Sequence, residues 1–279
     1  MRIAITGGKG GTGKSTVATA LAVELAKKKK ILLIDADVDC PNDHIILSIK
    51  RKKEQAIYQS IPKFNHKKCI KCGKCAQVCR ANAILSIKEK YPIFVSDLCI
   101  GCNACSIICP VGAISRTKKQ IGTIYSGKGH DINLVTGEMV IGYEEASPIV
   151  NAEKNFASKK EQDYDFIIID TGAGTHCNVI AALLGCDLAL AVTEPTPLGA
   201  YDLELILELT KMLKIPAKVI LNRSNVGDKN LIKKIVKKYK TKIIAEIPYK
   251  KEILEAFSRG KPIEDESINK IANFIEKLK

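Results

Sequence analysis

The sequence predicts an α/β fold built on a doubly wound, mostly parallel sheet with helices on both faces. A short apolar run at 3–5 leads into a glycine-rich loop and then into a stretch of helix formers. Further apolar runs without polar alternation follow, and such runs are typical of strands buried on both faces. Helix-forming segments separate many of these runs. The predicted strands lie at 3–5, 31–34, 166–169, 188–192, 217–221 and 243–249, and the predicted helices at 17–26, 146–162, 198–213, 251–258 and 267–277.

The composition indicates a globular protein without a membrane span or a specific nucleic-acid partner. The 279 residues are 46% hydrophobic, and no apolar run approaches the roughly 20 residues that cross a bilayer. Because the chain enters a strand at once, we expect no signal peptide and a cytoplasmic location. The formal charge is +14, but only six residues are arginines and none is Trp. Specific nucleic-acid binding uses arginine and aromatic side chains, so we interpret the many lysines as solvated helix faces.

The glycine-rich loop carries the pattern G-x-x-x-x-G-K-[ST], from Gly8 to Ser15. Its position between a strand and a helix is the context in which this pattern binds nucleotide phosphates. Glycines let backbone N–H groups converge on phosphate oxygens, Lys14 reaches the β- and γ-phosphates, and the Ser15 hydroxyl ligates Mg²⁺. The predicted nucleotide-binding residues of this P-loop are Gly8, Lys9, Gly10, Gly11, Thr12, Gly13, Lys14, Ser15 and Thr16.

A second lysine, Lys9, follows the first glycine of the pattern, where a generic phosphate loop does not require one. The segment KGGTGK resembles the deviant phosphate loop of the MinD/ParA class of ATPases. The resemblance implies an ATP-dependent homodimer in which Lys9 reaches the nucleotide of the partner subunit. It also implies ATP hydrolysis, with Lys9 and Lys14 among the catalytic residues.

Three carboxylates, those of Asp35, Asp37 and Asp39, follow the strand at 31–34. The carboxyl ends of parallel strands form the edge at which α/β sheets bind ligands, and clustered carboxylates there repel unless a cation lies among them. Helix capping explains one of them but hardly all three. In the MinD/ParA class the second aspartate of this segment, here Asp37, polarises the attacking water, and Asp39 is a second candidate.

Later segments complete the nucleotide site that the resemblance implies. Asp170 ends the strand at 166–169 as a Walker B aspartate does, and it would hold a water of the Mg²⁺ shell. Gly174 lies where the class senses the γ-phosphate. Asn222 and Arg223 end another strand, where a side-chain amide both donates to and accepts from adenine, which favours ATP over GTP. Pro248 lies in the segment that lines the adenine.

Eight of the eleven cysteines form two runs that repeat with an offset of 30 residues. Each run has the spacing C-x-x-C-x-x-C-x-x-x-C, which resembles the bacterial two-cluster ferredoxin module. In that module three cysteines of one run and the fourth of the other hold each [4Fe–4S] cluster. Zinc is the alternative, since C-x-x-C pairs also build zinc ribbons. The implied sets are Cys69, Cys72, Cys75 and Cys109 for the first cluster and Cys99, Cys102, Cys105 and Cys79 for the second.

The cysteine runs lie in a predicted small α+β, ferredoxin-like insert at 61–117, which leaves a discontinuous ATPase domain at 1–60 and 118–279. Arg80 departs from the ferredoxin pattern, which has proline there. Between 122 and 145 we expect two short strands. Of the other cysteines, Cys40 and Cys177 follow the two switch segments and are candidates for an extra metal, whereas we expect Cys186 in the core.

These features predict an ATP-hydrolysing protein with ATP, Mg²⁺ and two [4Fe–4S] clusters as cofactors. The first hypothesis is that a homodimer cycle gates electron transfer through the clusters to a redox partner. The alternative is a carrier or scaffold that delivers clusters or metals to client apo-metalloenzymes. A third hypothesis is a spatial organiser of DNA or membrane cargo, as some class members are. A membrane helix would use the apolar face at 268–275, although core packing explains that face better.

Overall fold

A computed structural model of the protein describes residues 1–278. The strands are β1 Arg2–Thr6, β2 Ile31–Ala36, β3 Arg51–Phe64, β4 Ile84–Leu85, β5 Ile93–Phe94, β6 Ile114–Gly129, β7 Ile132–Met139, β8 Phe166–Thr171, β9 Leu188–Thr193, β10 Ala217–Asn222 and β11 Ile243–Ile247. The helices are α1 Lys14–Ala26, α2 Asp43–Ile46, α3 Lys74–Gln77, α4 Ala104–Ile108, α5 Ser147–Ser158, α6 Cys177–Leu183, α7 Pro197–Met212, α8 Lys229–Lys238, α9 Lys251–Ser258 and α10 Glu266–Glu276.

A nine-stranded sheet has the order β11-β10-β9-β1-β8-β2-β7-β6-β3. The seven strands from β11 to β7 pair in parallel. This confirms the predicted mostly parallel α/β sheet. The chain winds outward from β1 in both directions, so the carboxyl ends of β1, β2 and β8 meet at one edge, where a ligand site is expected.

Helices cover both faces of this sheet, because side chains along each buried strand alternate between two cores. On β10, Ile220 packs with α1 and α10, whereas Val219 and Leu221 pack with α7 and α8. Ile268, Ile271 and Ile275 of α10 are at most 3% exposed, so the apolar face of this helix belongs to the core.

The structure differs from the sequence prediction at the strands β3 and β6. β3 spans 14 residues and was not predicted, because its first half is charged and exposed. Such charges are usual on an edge strand, and β3 is the last strand of the sheet order. The strands expected between 122 and 145 are longer than predicted, since β6 begins at Ile114. A turn at His130 and Asp131, both with positive φ, joins β6 to β7.

The chain divides into two compact units. The first comprises Met1–Gln55, Ile124–Glu138 and the rest of the chain from Ala146. The second comprises Ala56–Thr123 and Met139–Glu145, and it contains all eight cysteines of the two runs. Its small core is formed by Ile84, Cys105 and Ile114, with β4 and β5 paired antiparallel. No helix among residues 1–278 is long and apolar enough to cross a membrane.

Candidate functional site

The glycine-rich loop connects β1 to α1 and wraps around the Lys14 side chain. Gly11 and Gly13 adopt left-handed backbone conformations, with φ of 79° and 91°. Lys14 is only 6% exposed, and its Nζ donates to the Lys9 carbonyl oxygen at 3.2 Å. Burial lowers the pKa of Lys14, although Asp170 and Asp37 act in the opposite direction. The loop therefore holds a cation inside a turn of backbone, which is the arrangement a phosphate group requires.

A cavity of about 400 Å³ opens in front of this loop. Its volume is in the range of cavities that hold small molecules. Of the predicted site residues, Gly8, Lys9, Thr12, Asp39, Asp170 and Gly174 do not line it. The predicted residues that do line it are Gly10, Gly11, Gly13, Lys14, Ser15, Thr16, Asp37, Asn222, Arg223 and Pro248.

The Asn222 side chain fixes the loop from the far side. Its Nδ2 donates to the Thr12 carbonyl oxygen at 2.8 Å, although the two residues are 210 positions apart. A Cβ added at Gly13 would lie 2.3 Å from the same Nδ2. Position 13 therefore requires glycine for two reasons, its positive φ and the close approach of Asn222.

A cluster of three buried carboxylates, Asp35, Asp43 and Asp170, lies at the carboxyl ends of β2 and β8. Asp35 and Asp170 are register partners on these strands, and Asp43 begins α2. One carboxylate oxygen from each residue lies within 4.8 Å of those from the other two, and all three residues are fully buried. Only one side-chain hydrogen bond is found, from the Asp43 N–H to Asp35 Oδ2 at 3.0 Å. The other five oxygens have no partner in the described chain.

Burial raises the pKa of each carboxyl in this cluster. For Asp170 burial raises the pKa to about 7, although the charge of Lys14 favours its charged form. Burial and the charge of Asp170 raise the pKa of Asp35 well above its ordinary value, and burial and Asp35 do the same for Asp43. Unpartnered carboxylate oxygens at this spacing fit a hard cation such as Mg²⁺, which binds oxygen ligands.

The two predicted catalytic aspartates differ in their surroundings. Asp37 is half-buried and lines the cavity, and burial raises its pKa while Lys14 lowers it. Asp39 is exposed and lies outside the cavity lining. Of the two, Asp37 is therefore the better placed to meet a molecule in the cavity.

Lys9 and Arg223 both bind one carboxylate, that of Glu194. Lys9 Nζ lies 2.6 Å from Glu194 Oε1, and Arg223 Nη1 lies 3.0 Å from Oε2. Burial would raise the pKa of Glu194, but the two cations outweigh it and lower the pKa. In this structure the Lys9 side chain thus binds a residue of its own chain. The Gly174 N–H is also engaged within the chain, since it donates to the Gly7 carbonyl oxygen at 3.2 Å.

In the second unit the eight cysteines of the two runs line two separate cavities. The first cavity is lined by Cys69, Cys72, Cys75 and Cys109, and the second by Cys99, Cys102, Cys105 and Cys79. Each cavity thus combines three cysteines of one run with the fourth of the other. Burial raises the pKa of three of these thiols, those of Cys75, Cys99 and Cys105. Four sulfur donors around one cavity fit a soft metal centre, because a bound metal stabilises the thiolate form.

The three other cysteines have different environments. Cys40 and Cys177 are exposed. Cys186 is 8% exposed, burial raises its pKa to about 11, and its thiol lies 3.4 Å from the Ala182 carbonyl oxygen. Cys186 is therefore a core residue, as predicted.

Sequence reasoning missed two residues of the site, Asp43 and Glu194. Asp43 left no readable signal, because only the structure shows that the short helix α2 brings it back to Asp35. Glu194 follows β9 directly, at the same edge of the sheet as the other strand-end residues. Its partner Lys9 is 185 positions away, so no local pattern reveals the pair.

Comparison with known proteins gives consistent matches over nearly the whole chain. The sequence model of the CobQ/CobB/MinD/ParA nucleotide binding domain matches residues 3–263. An uncharacterized protein of Methanocaldococcus jannaschii is 36% identical over 100% of this chain and 96% of its own length. An uncharacterized ATP-binding protein of the same organism is 28% identical, covering 100% and 99%. The septum site-determining protein MinD of Pyrococcus horikoshii, solved with Mg-ADP, superposes with a TM-score of 0.62 at 20% identity, covering 99% and 96%.

The buried carboxylates predict that the cation-free protein loses stability as pH rises. The folded state holds a proton on Asp170 up to about pH 7, whereas the unfolded chain releases it near 3.8, so the contribution of this group to the free energy of unfolding is greatest below 3.8 and is lost towards 7. Asp170→Asn should reduce this pH-dependent loss of stability by at most about 4 kcal/mol. Thermal unfolding in EDTA at a series of pH values measures it, with the exposed Asp39→Asn as the control. An Asp170→Asn slope equal to that of the wild type would contradict the prediction.

The loop geometry predicts that one glycine substitution impairs the loop and that another is tolerated. Gly13→Ala forces a Cβ against Asn222 at positive φ, so nucleotide affinity should fall at least tenfold, about 1.4 kcal/mol. A Cβ at Gly10 meets no atom within 4 Å, so Gly10→Ala should leave thermal stability unchanged. Titration with a fluorescent ATP analogue and thermal unfolding test both variants. Equal affinity in Gly13→Ala and the wild type would show that the loop adapts.

Proposed function

Since the chain belongs to the CobQ/CobB/MinD/ParA nucleotide-binding family, we propose that it is an ATPase whose nucleotide cycle gates electron transfer through two [4Fe–4S] clusters. The family membership rests on the match over residues 3–263 and on the 36% identical relative. The observation that carries the electron-transfer part is the pair of cavities, each lined by four cysteines of the second unit. In this proposal ATP–Mg²⁺ is the substrate, and the two clusters are the resident cofactors.

The residues around the large cavity have distinct roles in ATP binding and hydrolysis. Backbone N–H groups of the loop and Lys14 bind the phosphates, and Ser15 and Asp170 hold Mg²⁺ and its water. Asp37 orients the attacking water, because it is the half-buried carboxylate that lines the cavity. Asn222, Arg223 and Pro248, which also line the cavity, form the adenine side.

Lys9 takes a different role, because in the single chain it is bound to Glu194. In the proposed homodimer Lys9 leaves this ion pair and reaches the γ-phosphate in the partner subunit. The Gly174 N–H undergoes a similar exchange, from the Gly7 carbonyl to the γ-phosphate. ATP would then favour the dimer by replacing two contacts within the chain.

The cysteine cavities are proposed to hold the clusters with the sets described above. The bound clusters would supply one-electron chemistry at low potential. The protein contributes thiolate ligands from both runs to each cluster, which ties the two halves of the second unit together. From Asp43 the chain continues through β3 into the second unit, so the residues around the nucleotide and the cysteine runs are joined by a short path of chain.

The second candidate function is the delivery of clusters or metals to client enzymes. The exposure of Cys40 and Cys177 favours it, because labile metal exchange needs accessible thiols. The third candidate is a spatial organiser, and the MinD proteins among the structural neighbours favour it. The burial of the apolar face of α10 removes one candidate membrane helix from this third hypothesis.

One experiment separates the first two functions. Anaerobically purified, cluster-loaded protein is mixed with an apo-ferredoxin acceptor, with and without ATP, and iron is measured in both proteins. Electron gating predicts that iron stays while ATP changes the EPR signal or the potential of the reduced clusters. Iron that moves to the acceptor only with ATP would support a carrier and replace the proposed function.

The cysteine sets predict the effect of removing one ligand from each. Cys109→Ala should disturb the cluster of Cys69, Cys72 and Cys75, although Cys109 lies in the other run. Iron content should fall to about half, because one of two clusters is lost or labile. Cys79→Ala should do the same to the other cluster, with Cys186→Ala as the control. Loss of the cluster of a variant's own run would contradict the exchanged ligand sets.

The Lys9–Glu194 ion pair predicts a variant with increased activity. Glu194→Gln should release Lys9, favour the ATP-dependent dimer and raise the ATPase rate several-fold at low protein concentration, about 1 kcal/mol. Lys9→Ala should abolish the rate increase caused by dimerisation. Phosphate release at several protein concentrations tests this, with Glu204→Gln, which breaks the surface pair with Lys238, as the control. An unchanged rate in Glu194→Gln would show that the ion pair does not restrain Lys9.

A further inference from the structure

The two cysteine-lined cavities differ in charge, although the cysteine runs repeat the same spacing. In the first run Lys71 and Lys74 occupy the positions that Gly101 and Ala104 occupy in the second. Lys71, Lys74 and Lys90 line the first cavity, whereas the residues found around the second carry no Lys, Arg, Asp or Glu side chain. The repeat thus preserves the cysteines and changes the charge around them.

Accessibility does not distinguish the two cavities. Each exposes the second cysteine of its run, Cys72 in the first and Cys102 in the second. The lysines that precede Cys69 in sequence, Lys67 and Lys68, are exposed as well. The two cavities therefore differ in the charge of the residues around them and not in their accessibility.

One of the three lysines at the first cavity, Lys71, lies over an aromatic ring. Lys71 Nζ lies 4.8 Å from the centre of the Tyr91 ring, which stacks on the His66 ring at 4.6 Å and 10°. A cation–π contact keeps an ammonium group over a ring without neutralising it. Near the second cavity, by contrast, Lys119 is paired with Asp97 at 2.7 Å. The positive charge at the first cavity thus remains available to a partner.

Resting on the proposed Fe–S function, we propose that an acidic one-electron carrier protein docks on the lysine face of the first cavity and exchanges electrons there. The carrier loses one electron and the cluster held by Cys69, Cys72, Cys75 and Cys109 gains it. No bond forms or breaks, and no proton moves. Positive charge attracts an acidic partner and also favours the extra electron on the nearer cluster, because reduction makes the cluster more negative. The second cluster then receives its electron through the first.

Small oxidants of opposite charge test this proposal on the cluster-loaded protein. Dithionite-reduced, desalted protein is mixed in a stopped-flow instrument with ferricyanide or with tris(phenanthroline)cobalt(III), and the cluster absorbance is followed. Each oxidant takes one electron from the protein. In Lys71→Glu/Lys74→Glu, oxidation by ferricyanide should slow about tenfold and lose its dependence on ionic strength, whereas oxidation by the cobalt complex should accelerate.

The matched control is Lys233→Glu/Lys234→Glu, which changes the net charge equally on exposed positions of α8. It should leave both rates within about twofold of the wild type. Equal rates in the wild type and Lys71→Glu/Lys74→Glu, with the cluster spectrum intact, would overturn this proposal while the proposed function stands. A protein that takes up no cluster on reconstitution would overturn the proposed function and this proposal with it. The cluster spectrum of each variant also reports whether it has folded.

Discussion

The burial of three carboxylates, with five of their six oxygens unpartnered in the described chain, is the constraint on which the nucleotide site depends. The parallel register of β2 and β8 places Asp35 beside Asp170, and the short helix α2 brings Asp43 against both. Such an arrangement is unfavourable in the protein alone, because buried carboxylates must either take up protons or bind a cation. The rest of the site follows from this requirement. Lys14 supplies one positive charge beside Asp170, and the cavity in front of the loop has the volume of a small-molecule site.

The sequence predicted the parts of the fold that depend on local pattern. The strands β1, β2 and β8 to β11 were predicted because each contains a run of apolar residues. β3 was missed because an edge strand carries charges, and Asp43 because nothing in a short helix marks its first residue as a third carboxylate. The Lys9–Glu194 pair joins positions that only the folded sheet brings together. The two cysteine sets that the ferredoxin resemblance implied line two cavities.

The second unit shows how a repeated segment keeps a backbone and changes its surface. Both α3 and α4 begin directly after a residue with positive φ, Gly73 in one half and Asn103 in the other. The cysteines that follow therefore adopt equivalent positions. Asn103 is held by a hydrogen bond from its own amide to the Gly101 carbonyl oxygen and by the Ser60 hydroxyl, so the second half uses side-chain contacts where the first uses glycine. The two halves can thus present the same ligands to different surroundings.

The carboxylate of Glu194 has one cationic partner on each oxygen, which would lower the free energy that Lys9 needs to leave in the proposed dimer. A buried carboxylate with a single partner is left with an uncompensated charge when that partner leaves, and such a loss is strongly unfavourable. Arg223 would remain bound to Glu194 after Lys9 left, so the proposed exchange would not leave an isolated anion. In the proposed exchange Lys9 would therefore change its partner while the Arg223–Glu194 pair stays in place. A lysine held in this way can be both ordered and mobile.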